Sequence, residues 1–437
     1  MERFFKLTER GSSVATEARA GLTAFLAMAY IIAVNPLLLH EAGVPSAAAV
    51  TATCLGAGLM TIIMGLVANR PLACASGMGV NAIVAYSLTA IAGGDWHAAM
   101  GVIFIEGAAI LLLVLCGLRE AIMDAIPVSL RHAISVGLGL FIAMIGLKDG
   151  GVIVADESTM VALGDVTSPT FVMALISIVV TVALYAKRVP GALLLGIVIS
   201  VVAGIPLGVT QVPSGVVSGL DFSSFGAPFL TDGAGTMGIV KVLASPTLLV
   251  FAFSLMMSDF FDTMGTAMAV AKQGEFLNED GSVEDIKQIL VVDSAAAAVG
   301  GALGASSITT FVESASGAAD GGRSGLTSVV AGVLFILTAF FSPVIAIVNA
   351  AATCGALVFV GFLMMSEVHE IDWSDLLEGF PAFMIAAGVP FTYSISDGIG
   401  FGFIAYVVVA AVTGRIKRIR PLMWVATAAF LVYFLIA

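Results

Sequence analysis

The chain has 437 residues, of which 59% are hydrophobic and only 11% are charged. Soluble domains carry about 25% charged residues, so this composition excludes a water-soluble globular protein, and such hydrophobicity also excludes intrinsic disorder. The formal net charge of -12 lies mostly in a few loops and excludes a basic surface for nucleic acid. We therefore expect the lipid bilayer, and not nucleic acid, to surround most of this chain.

Apolar stretches of the length needed to cross a bilayer, about 20 residues, recur with short polar breaks. In chain order we predict a polar N-terminal segment, seven spans, a polar connecting loop, seven further spans, and a basic linker with an apolar C-terminal segment, at residues 1–20, 21–207, 208–242, 243–413 and 414–437. The fold class is therefore an all-α integral membrane protein with about 14 transmembrane segments. The sequence leaves open whether residues 421–437 form another span.

Lysine and arginine mark cytoplasmic loops. They occur before the first span, in every second loop and after the last span, and among the other loops only Lys148 and Lys241 interrupt this alternation. We expect both ends of the fourteen-span unit, including the N-terminus, on the cytoplasmic side of the cell (inner) membrane. The first span follows a charged start and should act as its own signal, without a cleavable peptide. An odd number of spans per half gives the halves opposite orientations, as in many secondary transporters.

The third span of each half is short and interrupted by small and polar residues. These interruptions fall at residues 73–81 in the third span and 306–317 in the tenth. Paired broken helices in corresponding positions indicate a binding site near the bilayer midplane of a transporter. Asn81 lies in the first interruption, where its amide offers both a donor and an acceptor, so we include it among the candidate binding residues.

Carboxylates inside membrane spans cost about 2.5 to 3.5 kcal/mol each on insertion scales, so each must face a cavity or a partner. Asp259 and Asp262 lie deep in the eighth span on one helix face, and Glu313 lies in the broken tenth span. We predict that these three acids form the centre of the site, although Asp262 could instead pack between helices against hydroxyl groups. Glu106, inside the fourth span, either faces the cavity or bonds to a polar group of a neighbouring helix.

Hydroxyl groups near these acids are further candidates. Thr263 and Thr310 could contact a bound molecule, but threonine also bonds back to its own helix. The four histidines fall at loops or span ends and the four cysteines are scattered, so we expect no metal, no cofactor and no histidine proton relay. Asp259 and Asp262, one turn apart, cannot face each other across a substrate, which argues against an aspartyl hydrolase. Broken helices with an acid-lined midplane favour a carrier over a channel or an enzyme.

Four stretches, residues 21–36, 77–82, 259–266 and 309–317, carry a specific combination of motifs. Together they resemble the purine permeases of the nucleobase:cation symporter group, in the adenine/guanine/hypoxanthine branch of the xanthine/uracil permease superfamily, and the resemblance covers nearly the whole chain. The resemblance implies two inverted seven-span repeats, divided into a core domain of spans one to four and eight to eleven and a gate domain of the other spans. It places the substrate between the two domains.

The resemblance also implies that Asp259 and Glu313 hold the base, with Asn81 and the backbone of the broken helices nearby. The uracil and xanthine branches usually carry Glu at the position of Asp259 and often His at that of Thr263, so the sequence favours guanine, hypoxanthine or adenine. A uracil/xanthine carrier or a small-anion carrier on the same fold is the alternative, although three acids in the cavity argue against an anion. Purine N–H groups suit carboxylates, and the purine faces could stack on aromatic side chains, with Phe25, Tyr30, Phe260 and Phe311 as candidates.

Accumulation of a neutral base needs a coupled cation, and one charge moved through 100 mV supplies about 2.3 kcal/mol. We expect a proton on Asp259 or Glu313 to enter with the base and to leave inside, so that a neutral carboxylate cluster permits elevator-like movement of the core domain. The sequence leaves open which purine is preferred, whether Na+ replaces the proton, and the oligomeric state, although a homodimer would fit the family.

Overall fold

The computed structural model of the chain describes residues 2–117, 127–213, 215–231, 235–278 and 282–436. Within these ranges, the structure describes the backbone alone at residues 3, 257–258, 260–262, 264–265, 395–396, 422, 429, 433 and 436. Two predicted site residues, Asp262 and Phe260, are among them, so their side chains lie outside the described part of the structure.

The first half of the chain is mainly helical. Its elements are α1 Glu2–Phe5, α2 Val14–Met28, α3 Ile31–Glu41, α4 Ser46–Val67, β1 Cys74–Ser76, α5 Met78–Ala82, a π-helical segment Ile83–Leu88, α6 Thr89–Ile91, α7 Trp96–Leu115, α8 Val128–Asp149, β2 Ile153–Asp156, β3 Met160–Leu163, α9 Pro169–Ala186 and α10 Ala192–Gly204. Strands β2 and β3 pair as an antiparallel hairpin after α8.

The second half follows the same pattern. Its elements are α11 Gly238–Ala244, α12 Pro246–Gly274, α13 Ile286–Leu303, β4 Ile308–Thr310, α14 Ser314–Ala319, α15 Gly325–Thr338, α16 Ser342–Ile345, α17 Ala350–Met364, α18 Leu376–Thr392, α19 Ile395–Val412 and α20 Pro421–Ile436. Single 3-10 turns lie at Ala227–Phe229, Ala339–Phe341, Met365–Glu370 and Ile416–Arg418.

Helix length and composition fit a protein that crosses the bilayer many times. Among the described residues, eight helical spans are long and apolar enough to cross, and a ninth is added if α11 and α12, which meet at 99°, form one bent span. Each predicted span contains a helix or a broken strand–helix segment. The predicted all-α, multi-pass membrane fold is therefore confirmed, whereas the count of fourteen spans stays a prediction. The C-terminal segment is helical, and α20 packs against α19.

Helix α2 begins at Val14, inside the segment expected to be polar and outside the first span. Glu17, in its first turn, is fully buried. The Glu17 carboxylate accepts a hydrogen bond from the backbone N–H of Arg323 at 3.0 Å and from the Thr327 hydroxyl at 2.6 Å. These donors belong to the start of α15, where backbone N–H groups lack helical partners. Contact with the other half of the chain thus stabilises a charge that the local sequence alone would place in water.

Packing divides the helices into two groups, each drawn from both halves of the chain. Helices α2, α4, α7 and α12 to α15 pack on one another and form the core group, whereas α8 to α10 and α17 to α19 form the gate group. Glycines allow close approach within both groups. A Cβ atom added at Gly65 of α4 would lie 2.4 Å from the carbonyl oxygen of Gly325 in α15, and one at Gly361 of α17 would lie 2.3 Å from that of Gly139 in α8. Such small-residue contacts are typical of membrane helix packing.

The two predicted broken segments meet at the centre of the core group. Strands β1 and β4 pair antiparallel, with Cys74 opposite Thr310 and Ser76 opposite Ile308. All six residues of these strands are buried. Extended backbone at membrane depth needs internal hydrogen-bond partners, and the two halves provide them for each other. The pairing confirms the interruption of the third and tenth segments, and its antiparallel direction is the one that two oppositely oriented repeats produce at corresponding strands.

The two lysines that interrupt the predicted charge alternation are held by other side chains. Lys241 of α11 lies 2.7 Å from the carboxylate of Asp95, which precedes α7. Lys148, near the end of α8, lies over the rings of Tyr86 and Tyr393, with its Nζ atom 5.1 Å and 5.3 Å from the two ring centroids. Local partners therefore account for both lysines, and the alternation of the other basic residues keeps its value as an indicator of orientation.

Candidate functional site

The candidate site surrounds the crossing of β1 and β4. The backbone N–H of Gly77 donates to the carbonyl oxygen of Ser307 at 2.8 Å, which fixes the start of α5 beside the second broken segment. Asn81, one turn into this helical segment, is fully buried. Its side-chain N–H group donates to the carbonyl oxygen of Ser76 at 3.3 Å, and its Oδ1 atom has no partner among the described residues. The crossing thus presents a buried acceptor that is available to a ligand.

Asp259 lies near the middle of α12 and is 2% exposed. The hydroxyl group of Ser307 donates to its Oδ2 atom at 3.2 Å, so the aspartate is tied to the second broken segment. Thr263 follows one turn later on the same face and is fully buried. The two predicted residues are therefore brought together at the crossing, and Thr263 has a particular partner there.

That partner is Asp293 of α13, which is not among the site residues predicted from the sequence. Asp293 is 4% exposed and accepts three hydrogen bonds, from the hydroxyl groups of Thr263 at 2.6 Å and Thr309 at 3.1 Å and from the backbone N–H of Thr310 at 2.7 Å. It therefore connects α12, α13 and β4. The sequence signal was present, because Asp293 is a carboxylate within a predicted span, the same feature that selected Glu106.

Glu313 lies at the start of α14 and pairs with the first half of the chain. The hydroxyl group of Tyr30 donates to Glu313 Oε1 at 2.8 Å. Tyr30 lies between α2 and α3 and is 1% exposed. The sequence makes the Tyr30 ring a candidate for stacking on a purine base. The structure adds a second role, because the hydroxyl group of Tyr30 orients the carboxylate of Glu313.

Glu106 lies midway along α7 and is 1% exposed. Its carboxyl group is close enough to that of Asp259 for direct electrostatic interaction, and Asp293 acts on it to a smaller extent. Neither oxygen of Glu106 has a hydrogen-bond partner among the described residues. Gly107, the next residue, allows α7 to pack closely on α13, because a Cβ atom added there would lie only 2.2 Å from the backbone nitrogen of Ala298 in α13.

Residues 16–401 match the permease family model Xan_ur_permease. The chain belongs to this permease family. The permease is 38% identical over 437 residues to the adenine permease AdeP of Escherichia coli strain K12, an alignment that covers 99% of this chain and 95% of that protein. It is 37% identical over 445 residues to the guanine/hypoxanthine permease PbuG of Bacillus subtilis strain 168, with 100% and 99% covered.

The fold of the permease is also found in solved structures of low sequence identity. The transmembrane domain of the cyanobacterial bicarbonate transporter BicA superimposes with a TM-score of 0.62 at 15% identity, covering 90% of this chain and 97% of that one. At this identity the likeness concerns the fold alone. The family match and the permease relatives make this chain a membrane transport protein and not an enzyme.

The other predicted side chains of the permease divide by position. Phe25 packs edge-to-face with Phe335, with ring centroids 5.1 Å apart, so part of its ring is occupied by the protein. Phe311 directly follows β4 and is 6% exposed. Thr310 contributes its backbone N–H to Asp293, as described above. Among the described residues, no three or more His, Cys, Asp and Glu side chains are grouped so as to hold a metal ion.

One hydrogen bond of the permease joins the broken third segment to the gate group. Tyr86, in the π-helical segment after α5, donates to the carboxylate of Asp149 at the end of α8. A cavity of about 210 Å³ opens beside this pair, with Leu38, Glu41 and Thr353 among its lining residues. The core and gate groups are therefore connected near one end of the site.

Proposed function

We propose that the permease is a secondary active transporter that imports purine nucleobases, namely guanine, hypoxanthine or adenine, by proton symport with an elevator-like alternating-access mechanism. The similarity to adenine and guanine/hypoxanthine permeases over nearly the whole chain supports the substrate class. The observation that carries the chemistry is the buried cluster of acceptor groups at the crossing of β1 and β4.

Hydrogen-bond chemistry favours a neutral ligand rich in N–H groups. The carboxylates of Asp259 and Glu313 and the amide oxygen of Asn81 are acceptors, and the Asn81 oxygen has no partner among the described residues. A purine base presents N–H groups at its rim, whereas a small anion presents acceptors to this acidic surface. The fold shared with a bicarbonate transporter does not by itself indicate an anion substrate, and this acidic surface argues against the small-anion alternative.

Uracil and xanthine also carry N–H groups, so the acceptors alone do not exclude them. Asp259 and Thr263 favour the adenine/guanine/hypoxanthine branch, because Thr263 uses its hydroxyl on Asp293 and has no proton-relay nitrogen. In this proposal Asp259 and Glu313 accept N–H groups of the base. Asn81 serves either as acceptor or, after rotation of its amide, as donor to a ring nitrogen or carbonyl group.

The division into core and gate groups supports movement of one group against the other. Asn81, Asp259, Asp293 and Glu313 belong to elements of the core group or to the crossing at its centre, so the site would move with the core. A proton bound in the carboxyl cluster would reduce the charge that accompanies the base. We further propose that the N-terminus faces the cytoplasm at the cell membrane, from the distribution of basic residues, and that the permease forms a homodimer.

Competition uptake tests the proposal. Cells that lack their own purine carriers are given the permease and labelled hypoxanthine, with guanine, adenine, uracil, xanthine and bicarbonate as competitors. We expect saturable uptake that guanine or adenine blocks and that uracil, xanthine and bicarbonate do not. Glu313→Gln should abolish it, whereas Glu157→Gln, at an exposed loop position, should not.

Uptake blocked by bicarbonate, or no uptake of any base by membranes that contain the permease, would contradict the substrate class. Uptake that persists when the membrane potential and the pH gradient are both collapsed would contradict coupling. Uptake that depends on external Na+ at constant pH would replace the proton with sodium.

A further inference from the structure

Glu106 is a buried carboxyl group that the substrate contacts proposed above do not use. It is 1% exposed, and both of its oxygens lack a hydrogen-bond partner among the described residues. Burial of an unpaired carboxylate is among the most costly arrangements in a protein. Its position on α7 places it at the site, because its carboxyl group lies close enough to that of Asp259 for direct interaction.

No described cation on the packed elements offsets this charge within the site. Helix α7 packs against α11, α12 and α13. Lys241 of α11 binds Asp95, which is 11 positions from Glu106 and therefore about 16 Å away along the helix. Lys272 and Lys287 lie at the ends of α12 and α13 that are remote from the crossing. Among the described side chains of these helices, the titratable groups that face Glu106 are both acids, Asp259 and Asp293.

The other described acids of the site, Asp259, Asp293 and Glu313, differ from Glu106 because each has a donor. Ser307 donates to Asp259 at 3.2 Å, three groups donate to Asp293, and Tyr30 donates to Glu313 at 2.8 Å. Donors from the protein stabilise an ionised carboxylate, whereas a carboxyl group surrounded by acceptors is suited to being the donor itself. Among the described acids of the site, Glu106 is the one that is placed to be protonated and to donate a hydrogen bond.

We infer that Glu106 carries the coupled proton of transport. This inference rests on the proposed function and replaces Asp259 and Glu313 as carriers of that proton. With the proton on one oxygen, Glu106 donates to one oxygen of Asp259, which stays ionised and accepts an N–H group of the base on its other oxygen. Loss of the proton to the inside breaks this O–H bond, leaves two facing carboxylates, and weakens the hold of Asp259 on the base. One proton is bound outside and one is released inside for each base.

Glu106→Gln tests this inference because the glutamine amide can still donate to Asp259 but cannot release a proton. The purified permease is reconstituted in liposomes, and two activities are measured: exchange of labelled for unlabelled hypoxanthine at equal pH on both sides, and accumulation driven by a pH gradient. We expect Glu106→Gln to lower accumulation at least tenfold and exchange at most threefold. The matched Glu157→Gln variant, at an exposed loop position, should behave as wild type in both assays.

An equal loss of both activities in Glu106→Gln, or wild-type accumulation, would overturn the inference. If the glutamine variant does not fold, Glu106→Asp provides the second test, since it keeps a titratable group but withdraws it from Asp259 by one methylene. Its accumulation should persist with a displaced pH midpoint, and an unchanged midpoint would contradict a role for Glu106. Absence of hypoxanthine exchange by the wild-type permease would refute the proposed substrate instead, and the two failures are thereby distinguished.

Discussion

Replacement of Asp293 by alanine should both destabilise the permease and abolish transport. The carboxylate accepts hydrogen bonds from Thr263 at 2.6 Å, Thr309 at 3.1 Å and the Thr310 backbone at 2.7 Å. Side-chain hydrogen bonds in membrane proteins average about 0.6 kcal/mol, and bonds to charged groups in soluble proteins contribute about 1.5 to 3 kcal/mol. Three bonds at the lower part of this range give about 2 to 5 kcal/mol, and their loss also releases β4 from α13.

The assay is thermal unfolding of the purified protein in detergent, combined with hypoxanthine uptake. Asp293→Ala should unfold several degrees below wild type and should show no uptake at equal membrane content. Asp293→Asn should lie between the two, because its amide oxygen can still accept the Thr310 N–H group. Ser294→Ala is the matched control on the next position of α13, since the Ser294 hydroxyl only bonds back to the Leu290 carbonyl at 2.7 Å.

An unfolding temperature and an uptake rate equal to those of wild type in Asp293→Ala would refute the reasoning, because three buried donors would then have lost their acceptor without consequence. Equal effects of Asp293→Ala and Ser294→Ala would refute it as well, since they would reflect general sensitivity of α13.

Further predictions concern three other contacts. Tyr30→Phe removes the 2.8 Å hydrogen bond to Glu313 but keeps the ring. We expect the KM for hypoxanthine to rise about tenfold at similar protein level, which is equivalent to about 1.4 kcal/mol. An unchanged KM in uptake kinetics would contradict this expectation. Gly107→Val adds side-chain atoms at a position where even a Cβ atom would lie 2.2 Å from the backbone nitrogen of Ala298, so no folded permease should be recovered by size-exclusion chromatography. Gly219 has open space around it, so Gly219→Val should elute as the wild-type protein does. Tyr86→Phe removes the hydrogen bond to Asp149 between the core and gate groups, so alkylation of the buried Cys354 by a thiol reagent should become several-fold faster. An unchanged alkylation rate would show that this hydrogen bond does not hold the two groups together.

The sequence predicted the general plan of the site because polar residues in an apolar chain are rare. Asn81, Asp259 and Glu313 were selected by their charge or polarity in spans and by the broken segments, and the structure places all three around the crossing of β1 and β4. The pairing itself was not predicted. Strands of three residues have no recognisable periodicity, and their partners are more than two hundred positions apart in the chain.

Other details depend on contacts that a local pattern does not contain. The burial of Glu17 in the first turn of α2 rests on donors at the start of α15, far away in sequence. The hydroxyl of Tyr30 has a partner only because Glu313 is folded beside it. Asp293 is a different case, because a carboxylate within a predicted span is sufficient to make it a candidate site residue. Its three hydrogen-bond donors, which the sequence does not indicate, show that it connects α13 to α12 and β4.

The pairing of β1 with β4 has a consequence for biosynthesis. Ser76 ends the first strand and Ile308 begins the second, so at about 5 to 20 residues per second roughly 10 to 50 s pass between their emergence from the ribosome. During that interval the first strand is already in the membrane without its partner. A half-length gene product would face the same deficiency permanently, unless a second copy inserted upside down beside it.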